Sequence, residues 1–364
     1  MKKNSPIVLT LDGGGTNLVF SAICNSMEIV EPVIIPTVKD DVIRCLETIK
    51  TGFQRVMQML PSPPVAISFA FPGPADYESG VIGDLPNFPC FRGGVPLGPY
   101  LEDIFKIPVF INNDGNLFAY GEAIAGAIPY INRLLKEAGN PKVYKNILGV
   151  TLGTGFGGGI VIDGKLLKGD NQCGGYLWSL PYKFDMNMPA EEGVGVHAVS
   201  KVYAELSGDS EYKTPKDIFD IAEGNISGDK TSAIESFSRL GRSAGYAISS
   251  AVTLLDCMVV IGGGLSGASK YILPSLMEEL NSVMTFGDGR TLSRLQMKAF
   301  NLEDNIELQE FLKPSVNMVS VPGMDKKVNY SSDRRIGVMV SKLGASRSIS
   351  LGAYNYAINN INLE

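Results

Sequence analysis

The chain has 364 residues, a length that favours two domains or one large two-lobed fold. Apolar residues make up 45% and charged residues 19%, as in ordinary globular proteins, and the net charge of −6 excludes the basic field that nucleic-acid binding needs. The five cysteines are scattered without a Cys-x-x-Cys pair, which predicts free thiols and argues against a cysteine-based zinc site.

The first part of the chain begins with a β-hairpin around a glycine turn. Its predicted elements are, in chain order, strands over 7–11 and 18–23, a helix over 40–60, strands over 65–71 and 109–111, and a helix over 117–127. The short polar stretch before Ile7 is unlike a signal peptide, and no apolar run is long enough to span a membrane. We therefore expect a cytoplasmic protein without membrane contact.

A second strand–glycine–strand unit follows and echoes the first, as two related lobes would. The predicted elements of this part are a hairpin over 147–162, helices over 194–206 and 231–254, a strand over 258–261 and a closing helix over 350–361. The alternation of strands and helices predicts an α/β fold with two lobes and a ligand cleft between them. The predicted boundaries are an N-terminal lobe over 1–116, a C-terminal lobe over 117–345 with an insertion around 286–340, and a closing helix over 346–364 that packs on the N-terminal lobe.

Three glycine-rich segments are candidates for binding a nucleotide. Gly13, Gly14 and Gly15 offer consecutive N–H groups to phosphate oxygens, and Asp12 before them would hold Mg²⁺ through water. The segment 153–159 has five glycines in seven residues directly after a strand, and 262–264 would let adenine lie on the backbone. Plain hairpin or strand-to-helix turns are the alternatives for all three.

The segment 112–116 lies between a strand and a helix and carries the candidate catalytic residue. Asn113 and Asp114 would bind sugar hydroxyls, with Asp114 as the general base, whereas the alternative is an N-cap cluster. The single histidine, His197, excludes a Ser-His-Asp hydrolase built elsewhere and is interpreted as structural. Tyr176 and Trp178 are interpreted as core residues rather than as a platform for a sugar ring.

Together and in order, these motifs resemble the ROK family (repressors, open reading frames and kinases), whose sugar kinases have the two-lobed, actin-like, ribonuclease-H-like ATPase fold. The resemblance implies ATP, Mg²⁺, a hexose-like acceptor, a homodimer and Asp114 as base. The residues that match the nucleotide side are Asp12, Gly13, Gly14, Gly15, Thr16, Asn17, Gly153, Thr154, Gly155, Gly262, Gly263 and Gly264. Those that match the sugar side are Gly73, Asn87, Asn113, Asp114 and Glu191, with Glu192 as the fallback for Glu191.

The chain departs from the family after the second phosphate loop. A Gly-Glu-x-Gly-His element is replaced by Gly175–Ser179, and the cysteine-rich zinc loop is replaced by Pro181–Pro189. We therefore expect no zinc. The missing Glu and His alter the shell around the sugar hydroxyls, so the sugar stays open among glucose, N-acetylmannosamine, fructose and other modified sugars.

Two other functions are compatible with the pattern. One is a non-catalytic regulator that binds sugar or nucleotide; the few residues before Ile7 predict that it would have no DNA-binding domain of its own. The other is an actin-like ATPase that couples nucleotide to assembly, against which the sugar-side motifs argue.

Overall fold

The computed structural model describes residues 5–13, 16–85, 88–315, 317–331 and 333–361. Three predicted site residues, Gly14, Gly15 and Asn87, lie outside these ranges. The chain separates into two compact units, one of 1–126, 164–175 and 343–364, the other of 127–163 and 176–342. Among the described residues, every helix is too short or too polar to cross a lipid bilayer.

The strands are mostly short and alternate with helices along the chain. In chain order they are β1 (Ile7–Gly13), β2 (Asn17–Cys24), β3 (Met27–Glu28), β4 (Val33–Pro36), β5 (Ala66–Ala70), β6 (Ala75–Asp76), β7 (Val81–Ile82), β8 (Val109–Asn112), β9 (Ile147–Leu152), β10 (Phe156–Ile162), β11 (Lys165–Leu166), β12 (Pro181–Tyr182), β13 (Asp185–Pro189), β14 (Met258–Gly262), β15 (Val283–Thr285), β16 (Thr291–Ser293), β17 (Lys298–Asn301), β18 (Asn317–Ser320), β19 (Lys327–Tyr330) and β20 (Arg335–Val340).

The helices range from the eight residues of α9 to the 26 residues of α7. In chain order they are α1 (Val42–Gln58), α2 (Leu97–Phe105), α3 (Asp114–Ile124), α4 (Ala127–Glu137), α5 (Val196–Ser207), α6 (Pro215–Glu223), α7 (Lys230–Leu255), α8 (Ser269–Leu280), α9 (Asn305–Leu312) and α10 (Ala345–Asn360).

The first unit is built on a mixed sheet in the order β3-β2-β1-β5-β8, with β4 also paired to β2. β1 and β2 form the predicted antiparallel hairpin, while β5 and β8 continue the sheet in parallel. One sheet face packs on α1 through Phe20, Phe53 and Phe69, all fully buried. Near the start of α10, the Ser348 hydroxyl donates to the fully buried carboxylate of Glu122 in α3, which joins the closing helix to the helix that carries Asp114.

The second unit repeats this arrangement with the strand order β10-β9-β14-β20-β17. β9 and β10 pair as an antiparallel hairpin, and β14, β20 and β17 continue in parallel. Helices α5 to α8 bury a large apolar cluster against this sheet, with Phe237 and Leu240 of α7 among its members.

Every strand and helix predicted from the sequence is present, with ends that move by a few residues. Within the segment 286–340, predicted to be an insertion, β17 and β20 are strands of the main sheet, with Ala299, Phe300, Ile336 and Val338 buried. These apolar runs are short and lie between polar hairpins, so the composition of the surroundings obscured them.

Candidate functional site

The carboxyl ends of three neighbouring strands in the first unit bring the predicted acidic residues together. Asp12 at the end of β1 lies opposite Ala70 of β5, and Ala70 lies opposite Asn112 at the end of β8. Asp114 follows two residues later, as the first residue of α3. Since parallel strands end at the same edge of a sheet, this register places Asp12 and Asp114 at one edge.

Hydrogen bonds at the start of α3 fix the backbone that carries Asp114. The Gly115 N–H donates to the side-chain oxygens of Asn113 and Asp114, each at 2.8 Å. Asn113 is the N-cap, as its alternative interpretation held. Behind it, the Asn112 side-chain oxygen accepts from the Asn113 N–H at 2.9 Å and from the Asn116 amide at 3.0 Å. Sequence reasoning singled out neither Asn112 nor Asn116 as a support for the catalytic residue.

The two carboxyl groups have perturbed acidities. Burial of the carboxylate among protein atoms raises the pKa of Asp114, opposed by the hydrogen bond from Gly115. Burial also raises the pKa of Asp12, and the negative charge of Asp114 raises it further. Both side chains nevertheless retain solvent-accessible surface, so a ligand can reach them. Carboxylates are hard oxygen ligands, and Mg²⁺ is commonly held by one or two of them together with substrate phosphates.

The rest of the first glycine turn is described only at its ends. Gly13 is the last residue of β1 and pairs with Leu18. Thr16 and Asn17 are exposed where β2 begins, and the Thr16 carbonyl accepts from the Thr37 N–H at 3.0 Å. Both predicted side chains are therefore free of the core.

The sugar-side loop follows β5 and is tied to the strand that ends at Asn112. The Phe71 N–H donates to the Asn112 carbonyl at 2.9 Å, and the Tyr77 hydroxyl donates to the Phe71 carbonyl at 2.9 Å. Gly73 lies inside this bend, where a Cβ would be 3.0 Å from the Tyr77 hydroxyl oxygen. Tyr77 thus fixes the loop, and Gly73 has no side chain of its own to cover the backbone.

One residue that sequence reasoning missed holds the next turn. The Gln172 amide donates to Asp76 at 2.8 Å and accepts from the Tyr77 N–H at 2.8 Å. Hydrogen bonds from Ser79 and then Gln172 lower the pKa of Asp76 to about 2. No motif signals this pairing, because the two segments are nearly one hundred residues apart in sequence.

The second glycine loop lies in the second unit, at the tip of the β9–β10 hairpin. The Gly153 N–H donates to the Gly155 carbonyl at 3.1 Å, and the Gly153 carbonyl accepts from the Val196 N–H at 3.0 Å. Thr154, at the tip, is exposed. The loop is held by the start of α5 while its outer side is open to a ligand.

Glu191, predicted to bind the sugar, lies against this same loop. Its carboxylate accepts from the Phe156 N–H at 3.0 Å, and a Cβ on Gly155 would lie 2.4 Å from the same oxygen. The glycine is therefore required for Glu191 to reach the backbone.

The third glycine segment ends β14, the strand parallel to β9. Gly262 lies opposite Thr151, and Gly263 has a φ of +89°. A Cβ on Gly263 would lie 2.3 Å from the Leu152 carbonyl oxygen, so only glycine fits there. Gly264 begins a 3₁₀ turn and faces open space beside a cavity of about 250 Å³, whose lining includes Lys216, Phe219 and Phe237. An apolar wall facing bare backbone suits an adenine ring.

Trp178 does not lie where the sequence interpretation placed it. Trp178 is exposed, not part of the core, because the short 3₁₀ turn Leu177–Ser179 buries only Leu177. Tyr176 is half-buried with its ring centroid 6.0 Å from that of Trp178. His197 is exposed in the first turn of α5 and lines a cavity with Thr154.

The segment in place of the zinc loop forms the hairpin β12–β13. The ammonium of Lys183 at its turn pairs with Glu279 of α8, and the Arg239 guanidinium lies 4.9 Å from the centroid of the Phe184 ring. Among the described residues, no three His, Cys, Asp or Glu side chains cluster as metal ligands.

Comparison with known proteins shows which family the chain resembles. A profile of the ROK family matches residues 8–177. The crystal structure of a glucokinase from Parabacteroides distasonis is 55% identical, with 99% of each chain covered and a TM-score of 0.91. An N-acetyl-D-glucosamine kinase of Vibrio vulnificus is 30% identical, covering 70% of this chain and 83% of that protein. A glucokinase of Halalkalibacterium halodurans is 28% identical, covering 75% of this chain and 84% of that protein.

Proposed function

Because this chain belongs to the ROK family and has its actin-like ATPase fold, we propose that it transfers the γ-phosphate of ATP to a hexose or amino-sugar hydroxyl, with Asp114 as general base. It is an ATP-dependent sugar kinase. The observation that supports the assigned base is the position of Asp114, a carboxylate with raised pKa at the strand edge shared with Asp12.

The chemistry follows from these two carboxylates. Asp114 accepts the proton of the sugar hydroxyl. The hydroxyl oxygen at the same time bonds to the γ-phosphorus of ATP, and ADP leaves. Such a base contributes roughly 10²–10⁴-fold in rate, and a raised pKa makes the carboxylate a stronger proton acceptor. Asp12 would hold Mg²⁺ through water, and the ion would neutralise phosphate charge when bound.

The phosphates and adenosine would be bound by backbone rather than by side-chain charge. Gly13–Asn17 and Gly153–Gly155 would bind phosphate oxygens, which can approach glycine backbone closely because no Cβ intervenes. The Gly153 N–H is bonded to the Gly155 carbonyl, so in the second loop Thr154 and Gly155 would be the donors. The cavity beside Gly264 would take the adenine, with Phe219 on its wall. Phosphoryl transfer needs positioning and charge stabilisation more than covalent chemistry, and these parts supply both.

The sugar would be bound by Gly73, Asn87, Asn113 and Glu191 together with Asp114. The identity of 55% to a glucokinase makes glucose the first acceptor to test. N-acetylglucosamine, N-acetylmannosamine and fructose follow, since Gly175–Ser179 lacks the Glu and His that the family carries there. Because a site built for one hydroxyl rejects analogues by around 10⁴ or more, one sugar should dominate.

A coupled assay of ADP release over this sugar panel, with mass spectrometry of the product, tests the proposal. We expect turnover that requires both sugar and Mg²⁺ and a product heavier by one phosphoryl group. Binding of sugar and nucleotide by calorimetry without phosphorylated product would instead assign a regulator. ATP turnover that needs no sugar, together with filaments, would assign an assembly ATPase.

We also propose a homodimer in the cytoplasm, as the family resemblance implies. Sedimentation velocity of the full chain tests the first, and fractionation of the source cells tests the second.

A further inference from the structure

Two β-hairpins of the second unit stand apart from its core. The first arm is β15–β16, residues 283–293, and the second arm is β18–β19, residues 317–330. Every residue of the first arm is exposed, and in the second arm only Val321 is half-buried. An isolated two-stranded hairpin is at best marginally stable in water, so a surface must cover these arms for them to be rigid.

The two arms leave the sheet at the same end. β16 ends at Ser293, five residues before β17 begins, and β19 ends at Tyr330, five residues before β20 begins. β17 and β20 are parallel neighbours, with Lys298 opposite Arg335 at their starts. Because adjacent parallel strands start at one edge, the arms project from adjacent positions and belong to one surface.

One face of each arm carries apolar side chains that oppose one another. In the first arm Met284 lies opposite Leu292, and in the second Val319 lies opposite Val328. Residues two apart in a strand share a face, so Tyr330 lies on the same face as Val328. These side chains are 39–53% exposed. Exposed apolar faces of this kind mark interaction sites in soluble proteins.

Charge and size indicate the partner. Asp288 and Arg290 cancel in the first arm, and Asp325 with Lys326 and Lys327 leaves one positive charge in the second. Nearly neutral arms neither attract a nucleic acid nor repel an identical arm. The two arms comprise 25 residues, which falls within the roughly 20–30 residues a side of a standard interface.

We propose that the two arms form the interface with a second copy of this chain, apolar face against apolar face across a two-fold axis. Such an axis places the same patch of each subunit against itself, so identical apolar faces meet. It also lets the free edge of an arm pair antiparallel with its own copy, which removes the open edges. The inference rests on the proposed homodimer and gives its surface.

The backbone predicts which edge atoms are available. The Val321 N–H donates to the Lys326 carbonyl at 2.8 Å, and bonded pairs alternate along an antiparallel ladder. Met318 and Asn329, which oppose one another, therefore point their N–H groups away from the hairpin. Asn329→Pro would block pairing at the free edge without removing a bond of the hairpin itself.

The test is sedimentation velocity and equilibrium of the full chain and of Leu292→Glu, Val319→Glu and Asn329→Pro. Ile306→Glu is the matched control, because Ile306 is an exposed apolar residue of α9 outside both arms. We expect a wild-type dimer, an unchanged control, and a dimer Kd raised at least about 30-fold by each Glu variant, as for hot-spot residues. Asn329→Pro should weaken the dimer by a smaller factor.

A dimer that the arm variants leave as tight as wild type would overturn the assigned surface while the homodimer stands. A monomeric wild type would overturn both. If a Glu variant fails to unfold cooperatively, hydrogen exchange of the wild type is measured at concentrations above and below the Kd of the dimer. Residues 283–293 and 317–330 should gain protection on dimerisation. Equal exchange at the two concentrations rejects the proposal. Sugar phosphorylation is assayed in the same samples, so failure of the kinase function is seen separately.

Discussion

The β1–β2 and β9–β10 hairpins share one design, yet the strands beside them end differently. Each is an antiparallel hairpin around glycine, continued by parallel strands. In the first unit the sheet continues through β5 to β8, which leads to Asp114 at the start of α3, whereas beside β9 the strand β14 leads to Gly262–Gly264. The two units thus share a frame and differ in the groups at the ends of their strands, which are the carboxylates of Asp12 and Asp114 in one unit and bare glycine backbone in the other.

The largest expected effect comes from removing the carboxylate of Asp114 in the first unit. Asp114→Asn keeps the side-chain oxygen that accepts from the Gly115 N–H but cannot take a proton. We expect kcat to fall by roughly 10²–10⁴-fold with little change in KM for ATP. Single-turnover kinetics with the preferred sugar measures it.

Asn116→Ala is the matched variant for this experiment, since Asn116 is buried behind the same turn and only supports Asn112. Its loss in kcat should be smaller. A turnover of Asp114→Asn within tenfold of wild type would remove Asp114 from the role of base.

The next effect concerns the backbone chemistry beside the second hairpin. Gly263→Ala places a Cβ 2.3 Å from the Leu152 carbonyl and in a left-handed conformation, and we expect a loss of stability of roughly 1–3 kcal/mol or more. Gly264→Ala meets no atom within 4 Å and should change stability by less than about 0.5 kcal/mol. Thermal unfolding separates the two.

Measurement of nucleotide binding by the stable variant, Gly264→Ala, then tests where adenosine lies. If adenosine lies on the backbone, Gly264→Ala raises KM for ATP while its melting temperature stays at the wild-type value. An unchanged KM in a stable Gly264→Ala would move the adenosine away from this turn.

A smaller effect follows from the raised pKa of Asp114. The folded protein binds this proton more tightly than the unfolded chain, so ionised Asp114 lowers stability at neutral pH. This penalty disappears as the pH falls through the raised pKa toward the ordinary value of 3.8. Asp114→Asn should therefore unfold at a slightly higher temperature than wild type at pH 7, with the difference shrinking as the pH falls. A difference that grows toward low pH has the wrong sign for this account.

Much of this frame was predictable because it depends on local pattern. Strand, glycine and helix periodicity located both hairpins and the edge that carries Asp114. The contacts that support the site were not predictable: Gln172 reaches Asp76, and Glu191 reaches the Phe156 N–H, across stretches of sequence with no shared motif. Trp178 was placed wrongly because apolar composition cannot tell a packed ring from an exposed one on a short turn.

The segment 286–340 shows a second limit. Its polar hairpins dominate the composition, and the four-residue β17 is too short for its period to stand out. Pairing with β20 makes it a strand of the main sheet. Tertiary pairing, which a single sequence does not display, decided the structure here.

The smallest expected change in stability is that on chelation of divalent metals, which should leave the fold unchanged. The hairpin β12–β13 is held by charges of the protein itself: Lys183 and Arg294 both pair with Glu279, whose side chain is only 6% exposed. A chelator should therefore abolish activity, which Mg²⁺ restores, without shifting the melting temperature, and elemental analysis should find no bound zinc. Lys183→Met is the positive control, because it leaves Glu279 with one cationic partner and should cost roughly 1–3 kcal/mol. A melting temperature that falls on chelation and recovers only with Zn²⁺ would show that a metal, and not this ion pair, holds the hairpin.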